Sequence, residues 1–114
     1  MDYTVRYIEY DGRKDDFVFD FQKGYEVLSL FLSCELPNFY QEVKNGIEEV
    51  RDGKVQKKTI VGNVCKAEID QTITKVIDLY SEKSNTCALE TEEFIALIKE
   101  WNKEKQELEK YRLK

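Results

Sequence analysis

Apolar and polar side chains alternate from the first residues. Tyr3, Val5 and Tyr7 share one parity in Tyr-Thr-Val-Arg-Tyr-Ile-Glu-Tyr, and the aromatic and β-branched content predicts a strand over residues 3–10. Asp11-Gly12 opens a polar segment running to Asp16, which reads as a hairpin connection. Phe17, Phe19 and Phe21 then fall on one face of a second strand. Between Tyr25 and Cys34, the apolar positions Val27, Leu28, Leu30, Phe31 and Leu32 fit a helix and equally a buried strand. Length and the leucines, which carry no branch at Cβ, favour a nearly all-buried helix.

Leu36-Pro37 ends that segment, because a residue before proline avoids helical dihedrals. Asn38, with Gln41 three residues on, predicts a capping box for the next helix. Phe39, Val43, Ile47 and Val50 form its apolar stripe, and Asp52-Gly53 stops it. Val55 to Ile69 is β-branched, with a bulge or bend expected at Val61-Gly62-Asn63-Val64. Asp70-Gln71 reads as a tight turn, and Thr72 to Tyr80 as a strand with Ile73, Ile77 and Leu79 on one parity. Residues 81–86 read as loop and Cys87 to Glu90 as a short final strand.

The last helix has Thr91 where an N-cap belongs and Glu92 and Glu93 in its first turn. Phe94, Ile98, Trp101 and Leu108 form a stripe that Leu97 widens. Beyond Trp101 only Leu108, Tyr111 and Leu113 are strongly apolar, so residues 104–114 read as an exposed, fraying end. The expected fold class is α+β. An antiparallel sheet of about four to five strands in two hairpins packs with two to three helices, the last of them long. At 114 residues, with no repeat or linker, residues 1–114 read as a single domain able to bury its own core.

Charge changes this picture more than bulk composition does. Acids outnumber bases 23 to 18, giving −5, and histidine is absent. The commonest general base and the commonest metal ligand are therefore missing. The acidic balance disfavours nucleic acid and anionic membranes, both of which demand a positive footprint, and suits a basic protein partner. Met1-Asp2-Tyr3 lacks a basic leader and a following apolar run, so no secretory signal is expected, no stretch is long enough to span a membrane, and cytoplasm is the default compartment. Cys34, Cys65 and Cys87 lack disulfide or zinc spacing and read as buried free thiols.

Candidate chemistry is thin. The acid pairs Asp15-Asp16, Glu48-Glu49 and Glu92-Glu93 suit solvated faces, and Cys65 has no histidine to activate it. The aromatics of the first hairpin are interleaved with aspartates at 11, 15, 16 and 20, which would repel phosphates, so they read as packing. No enzyme, cofactor or metal site is expected. The candidate partner-binding residues are Asp11, Asp15 and Asp16 in the first hairpin loop, Glu68 and Asp70 before the turn of the second hairpin, and Asp78 after it. An alternative reading is a structural or adaptor subunit docking through its C-terminal amphipathic helix.

The run Ile60-Val61-Gly62-Asn63-Val64, then a hairpin, then Cys87-Ala88-Leu89-Glu90-Thr91-Glu92-Glu93-Phe94 leading to Trp101, resembles a layout found in small bacterial immunity proteins. These are antidotes to polymorphic and contact-dependent growth-inhibition toxins, and the resemblance covers the C-terminal half. It implies a partner that is a cognate toxin domain, bound by a monomer or weak homodimer. It implies a mechanism of occlusion, in which an acidic face covers the basic substrate channel of a nuclease toxin. It assigns no individual residue.

Overall fold

The computed structural model describes residues 1–81 and 85–112. The chain forms β1 (Tyr3–Tyr10), β2 (Arg13–Phe21), α1 (Glu26–Cys34), α2 (Leu36–Arg51), β3 (Lys57–Val61), β4 (Cys65–Asp70), β5 (Ile73–Asp78), β6 (Thr86–Glu90) and α3 (Thr91–Arg112). The fold class is α+β as expected. The strands divide into a two-stranded sheet, β1-β2, and a four-stranded antiparallel sheet in the order β3-β4-β5-β6. α1 packs against both sheets, touching β2 on one side and β4, β5 and β6 on the other. Of the expected 81–86 loop, residues 82–84 lie outside the described residues, as does Leu113.

The β1–β2 hairpin is tighter than its polar composition suggests. Asp11 and Gly12 both take positive φ (55° and 77°), so two residues close the turn and β2 begins at Arg13. Asp15 and Asp16 therefore lie on a strand and not in a loop. The register passes from Ile8 opposite Asp16 to Glu9 opposite Lys14, which leaves Asp15 as the extra residue of a β-bulge. Tyr3, Val5 and Tyr7 sit opposite Phe21, Phe19 and Phe17 on one face, as their parity predicts. Phe19 stacks on Tyr3 with ring centroids 5.3 Å apart, and Phe17 meets Trp101 of α3 at 6.1 Å.

The open segment resolves as a helix over Glu26–Cys34, with Tyr25 at its N-cap and Val27, Leu28, Phe31 and Leu32 buried along one stripe. The predicted capping box at Asn38 and Gln41 does not form. α2 begins earlier, with Glu35 at the N-cap and Pro37 in its first turn, where a missing N–H costs nothing. Its helical dihedrals break once, at Phe39 (φ −123°, ψ 15°), and the Gln41 amide donates instead to Asn45 (2.9 Å). Gly46 lets α2 lie close on β3, since a Cβ there would come 3.1 Å from the Lys58 side chain and 3.3 Å from Ile60.

β5 keeps its predicted parity, but the core takes the other face. Ile73 and Leu79 are exposed, while Thr74 and Val76 are buried opposite Leu89 and Cys87 of β6. Thr74 tolerates burial because its hydroxyl is 2.9 Å from that of Thr91. The Thr91 hydroxyl also donates to the Asp70 carbonyl (2.7 Å), so this residue ties the start of α3 to the β4–β5 turn. Phe94, Leu97, Ile98, Trp101 and Leu108 of α3 are buried, and Tyr111 is exposed. Cys65 and Cys87 are buried as expected, but Cys34, the last residue of α1, is exposed. Among the described residues, no helix is long and apolar enough to cross a membrane.

Candidate partner-binding surface

The six candidate acids fall into two groups on separate sheets. Asp11, Asp15 and Asp16 lie together at the distal half of the first hairpin, all exposed. Asp11 occupies the left-handed turn position that short polar side chains tolerate, and the Asp16 carboxylate accepts the Phe17 backbone N–H (2.8 Å). The hairpin is anchored to α3 along its inner face, where the Tyr7 hydroxyl donates to Glu104 (2.8 Å). The Lys14 ammonium lies 4.1 Å from the centre of the Tyr7 ring.

The second group is occupied with the sheet itself. Glu68 lies on the face of β4 turned away from the helices, 3.3 Å from the Lys66 ammonium and 3.5 Å from that of Lys57. The Lys66 contact, helped by Lys57, holds its carboxyl below the usual carboxylate range. Asp70 accepts the backbone N–H groups of Ile73 (2.6 Å) and Thr72 (2.9 Å), an Asx turn that closes β4 onto β5 and lowers its pKa. Asp78 accepts the Tyr80 N–H (2.9 Å) at the opposite end of β5, about 17 Å away along a strand rising ~3.4 Å per residue. Glu68, Asp70 and Asp78 thus each hold a local structure, and the register sets Lys57, Lys66 and Lys75 around them.

A structural carboxylate that sequence reasoning missed is Glu35, between α1 and α2. It is 1% exposed, and its oxygens accept three consecutive backbone N–H groups, from Asn63 (2.9 Å), Val64 (2.9 Å) and Cys65 (2.7 Å). Those residues form the β3–β4 turn, closed in turn by the Gly62 N–H donating to the Cys65 carbonyl (2.8 Å). Any Cβ on Gly62 would lie inside the van der Waals envelope of the Glu35 carboxyl, so glycine is required there by contact alone. The Gly-Asn pair therefore opens a turn whose Asn63, Val64 and Cys65 amides receive an internal carboxylate, with Gly62 leaving the room for it. Burial, with Glu35 and Asp78 nearby, pushes the Cys65 thiol up to about 12, and burial pushes Cys87 to about 11, away from the range in which a thiolate forms at neutral pH. The one available signal for Glu35 was a lone acid in the mostly apolar stretch Leu30 to Leu36. Among the described residues, no group of three or more acids or cysteines is placed to hold a metal ion.

Comparison with known proteins supplies the class. Over 87 residues, 75% of this chain, it is 31% identical to a protein of Bacillus cereus (strain ATCC 14579) named "Immunity protein", and the match covers 74% of that protein. The chain belongs to the family of that immunity protein. No family model matches it, and no solved structure does.

Proposed function

We propose that the protein is a non-catalytic antidote that neutralises a cognate bacterial toxin, a nuclease domain, by covering its basic active site. The observation that carries this is kinship with a protein named for immunity over three quarters of both chains. The acid-bearing first hairpin supports an electrostatic mode of capture. Between residues 8 and 16 it carries Glu9, Asp11, Asp15 and Asp16 against Arg13 and Lys14, all exposed. Fixed carboxylates there stand where substrate phosphates would sit, steer the encounter and set its orientation. Glu68, Asp70 and Asp78 belong to the rim of this account at most, because lysines and turn amides already engage them. The antidote works in the cytoplasm of the producing cell, against a toxin of the polymorphic or contact-dependent type.

The test uses the cognate toxin domain that this reading requires. Asp15→Lys, alone and with Glu9→Lys, should slow association at low salt by about tenfold or more, with a shallower salt dependence. An association rate and salt slope equal to those of the unaltered protein would remove the first hairpin from the interface. Asp78 is unsuited to this test, because its loss frees the Tyr80 amide.

A further inference from the structure

The two faces of the first hairpin differ in what their apolar residues do. Tyr3, Val5 and Tyr7 share the inner face with Phe17, Phe19 and Phe21, so Thr4, Arg6, Ile8 and Tyr10 of β1 turn outward with Asp20, Val18 and Asp16 of β2. The proximal half of the outer face is polar, as a solvated face should be: Thr4 is exposed, and Arg6 pairs with Asp20 at 2.9 Å. The distal half is not. Ile8 and Tyr10 stand at successive outward positions, 40% and 77% exposed, and half-buried Val18 lies diagonally across from Ile8. α3 meets the hairpin from the inner side, through Trp101 against Phe17 and Glu104 on the Tyr7 hydroxyl, and leaves this strip to solvent. Strand propensity does not call for it, since threonine serves at Thr4. An apolar strip framed by polar residues and adding nothing to the core marks a contact surface.

The segment that carries the strip is held in one shape. Asp11 and Gly12 close the turn in two residues, which sets Tyr10 opposite Arg13 as the last rung of the ladder. On the inner side, the Lys14 ammonium 4.1 Å from the centre of the Tyr7 ring and the Tyr7–Glu104 hydrogen bond tie down the same stretch of chain. A side chain presented on a pre-formed segment loses little freedom when it binds. Glu9 and Asp11 flank Tyr10 in the chain. Both are exposed and, among the described residues, neither is in an ion pair. Residues 8–16 carry four acids against two bases, Arg13 and Lys14.

We infer that Tyr10, with Ile8 beside it, is the anchor of the antidote: it enters an apolar hollow on the toxin whose rim is basic, where the Glu9 and Asp11 carboxylates meet the rim. The inference rests on the antidote reading and names what holds the partner once charge has steered it in. The two kinds of residue then do different things. Exposed carboxylates set the rate of encounter, and a desolvated aromatic side chain at the centre of the contact sets the lifetime of the complex. The charge of the tip selects a basic partner over a second copy of this chain, which would bring the same acidic excess to both sides of the contact.

Association and dissociation rates with the cognate toxin domain, measured for the unaltered protein, Tyr10→Ala and Tyr80→Ala, test this. Tyr80 is the control, because it is as exposed (76%) but lies just past β5 on the other sheet. Neither ring belongs to the core, so both variants should keep the melting temperature of the unaltered protein. The expected result is that Tyr10→Ala dissociates about thirtyfold faster or more with its association rate and salt slope unchanged, while Tyr80→Ala behaves as the unaltered protein does. A Tyr10→Ala complex as long-lived as that of the unaltered protein overturns the anchor and leaves the antidote reading standing. So does a loss confined to the association rate, or one that Tyr80→Ala shares equally. Self-association of the unaltered protein without toxin that Tyr10→Ala abolishes makes the occupant a second copy, and also overturns the inference. Failure of the unaltered protein to bind the toxin removes both readings.

Discussion

Replacing Glu35 and Gly62, singly and together, probes the internal anion site through its energetics. Glu35→Ala leaves three N–H groups without their acceptor. Of these, Asn63 is exposed and can hydrate, Val64 is half-buried, and Cys65 is buried beyond the reach of water. A hydrogen bond to a charged group contributes ~1.5–3 kcal/mol and a buried orphaned donor costs ~1–3 kcal/mol, so the loss should be about 3–5 kcal/mol. Gly62→Ala retains the carboxylate but drives a Cβ into it, displacing the same three bonds at a similar cost of ~3 kcal/mol. In the double variant the Cβ enters the space that the carboxylate left. The combined loss should therefore be close to that of Glu35→Ala alone, a coupling of about 2–3 kcal/mol. Urea unfolding of the four proteins, followed by tryptophan fluorescence from buried Trp101, measures each value. Additivity within ~0.5 kcal/mol, or a Glu35→Ala loss below ~1 kcal/mol, would refute the reasoning.

Other expectations follow from the same contacts. A thiol reagent at mildly alkaline pH should label Cys34 rapidly in the folded protein and reach Cys65 and Cys87 only on unfolding; fast labelling of all three without denaturant would contradict their burial. The folded pKa of Asp70 is depressed, so its contribution to stability is present above the ordinary carboxylate range and is lost as pH falls through the folded value. The stability gap between the unaltered protein and Asp70→Ala should accordingly be full at neutral pH and close as pH drops below about 4. A gap that stays constant across this range would show that the two turn hydrogen bonds do not depend on ionisation.

Much of the architecture was legible because its causes are local. The alternation of Tyr3, Val5 and Tyr7 with Phe17, Phe19 and Phe21 marks a hairpin face, and the Phe94, Ile98, Trp101 stripe marks a helix, whatever the rest of the chain does. Where causes are distant, the reading failed or stayed open. Helix and strand were hard to separate over residues 25–34 because a short segment buried among other elements loses its polar face, and with it its period. Thr74 faces the core only because Thr91, 17 residues on, satisfies its hydroxyl. Asp15 and Asp16 moved from loop to strand because Asp11 and Gly12 make the whole turn.

The candidate surface divides in the same way. Acid content near both hairpins is plain in the sequence, but which carboxylates are already engaged is not. Glu68 meets lysines from two strands, and Asp70 and Asp78 turn back onto amides that only the folded turns present. The Glu35 contacts span 28 to 30 residues, and a lone glutamate beside Leu36-Pro37 looks like any helix end.

The measurement closest to the heart of the account mixes this protein with the cognate toxin domain that the proposed function requires. Toxin activity is followed as the protein is added at low and at high salt. The account predicts tight complex formation, loss of toxin activity at equimolar protein, faster association at low salt, and no substrate turnover by this protein alone. Undiminished toxin activity with excess protein present, or turnover by the purified protein itself, would contradict it.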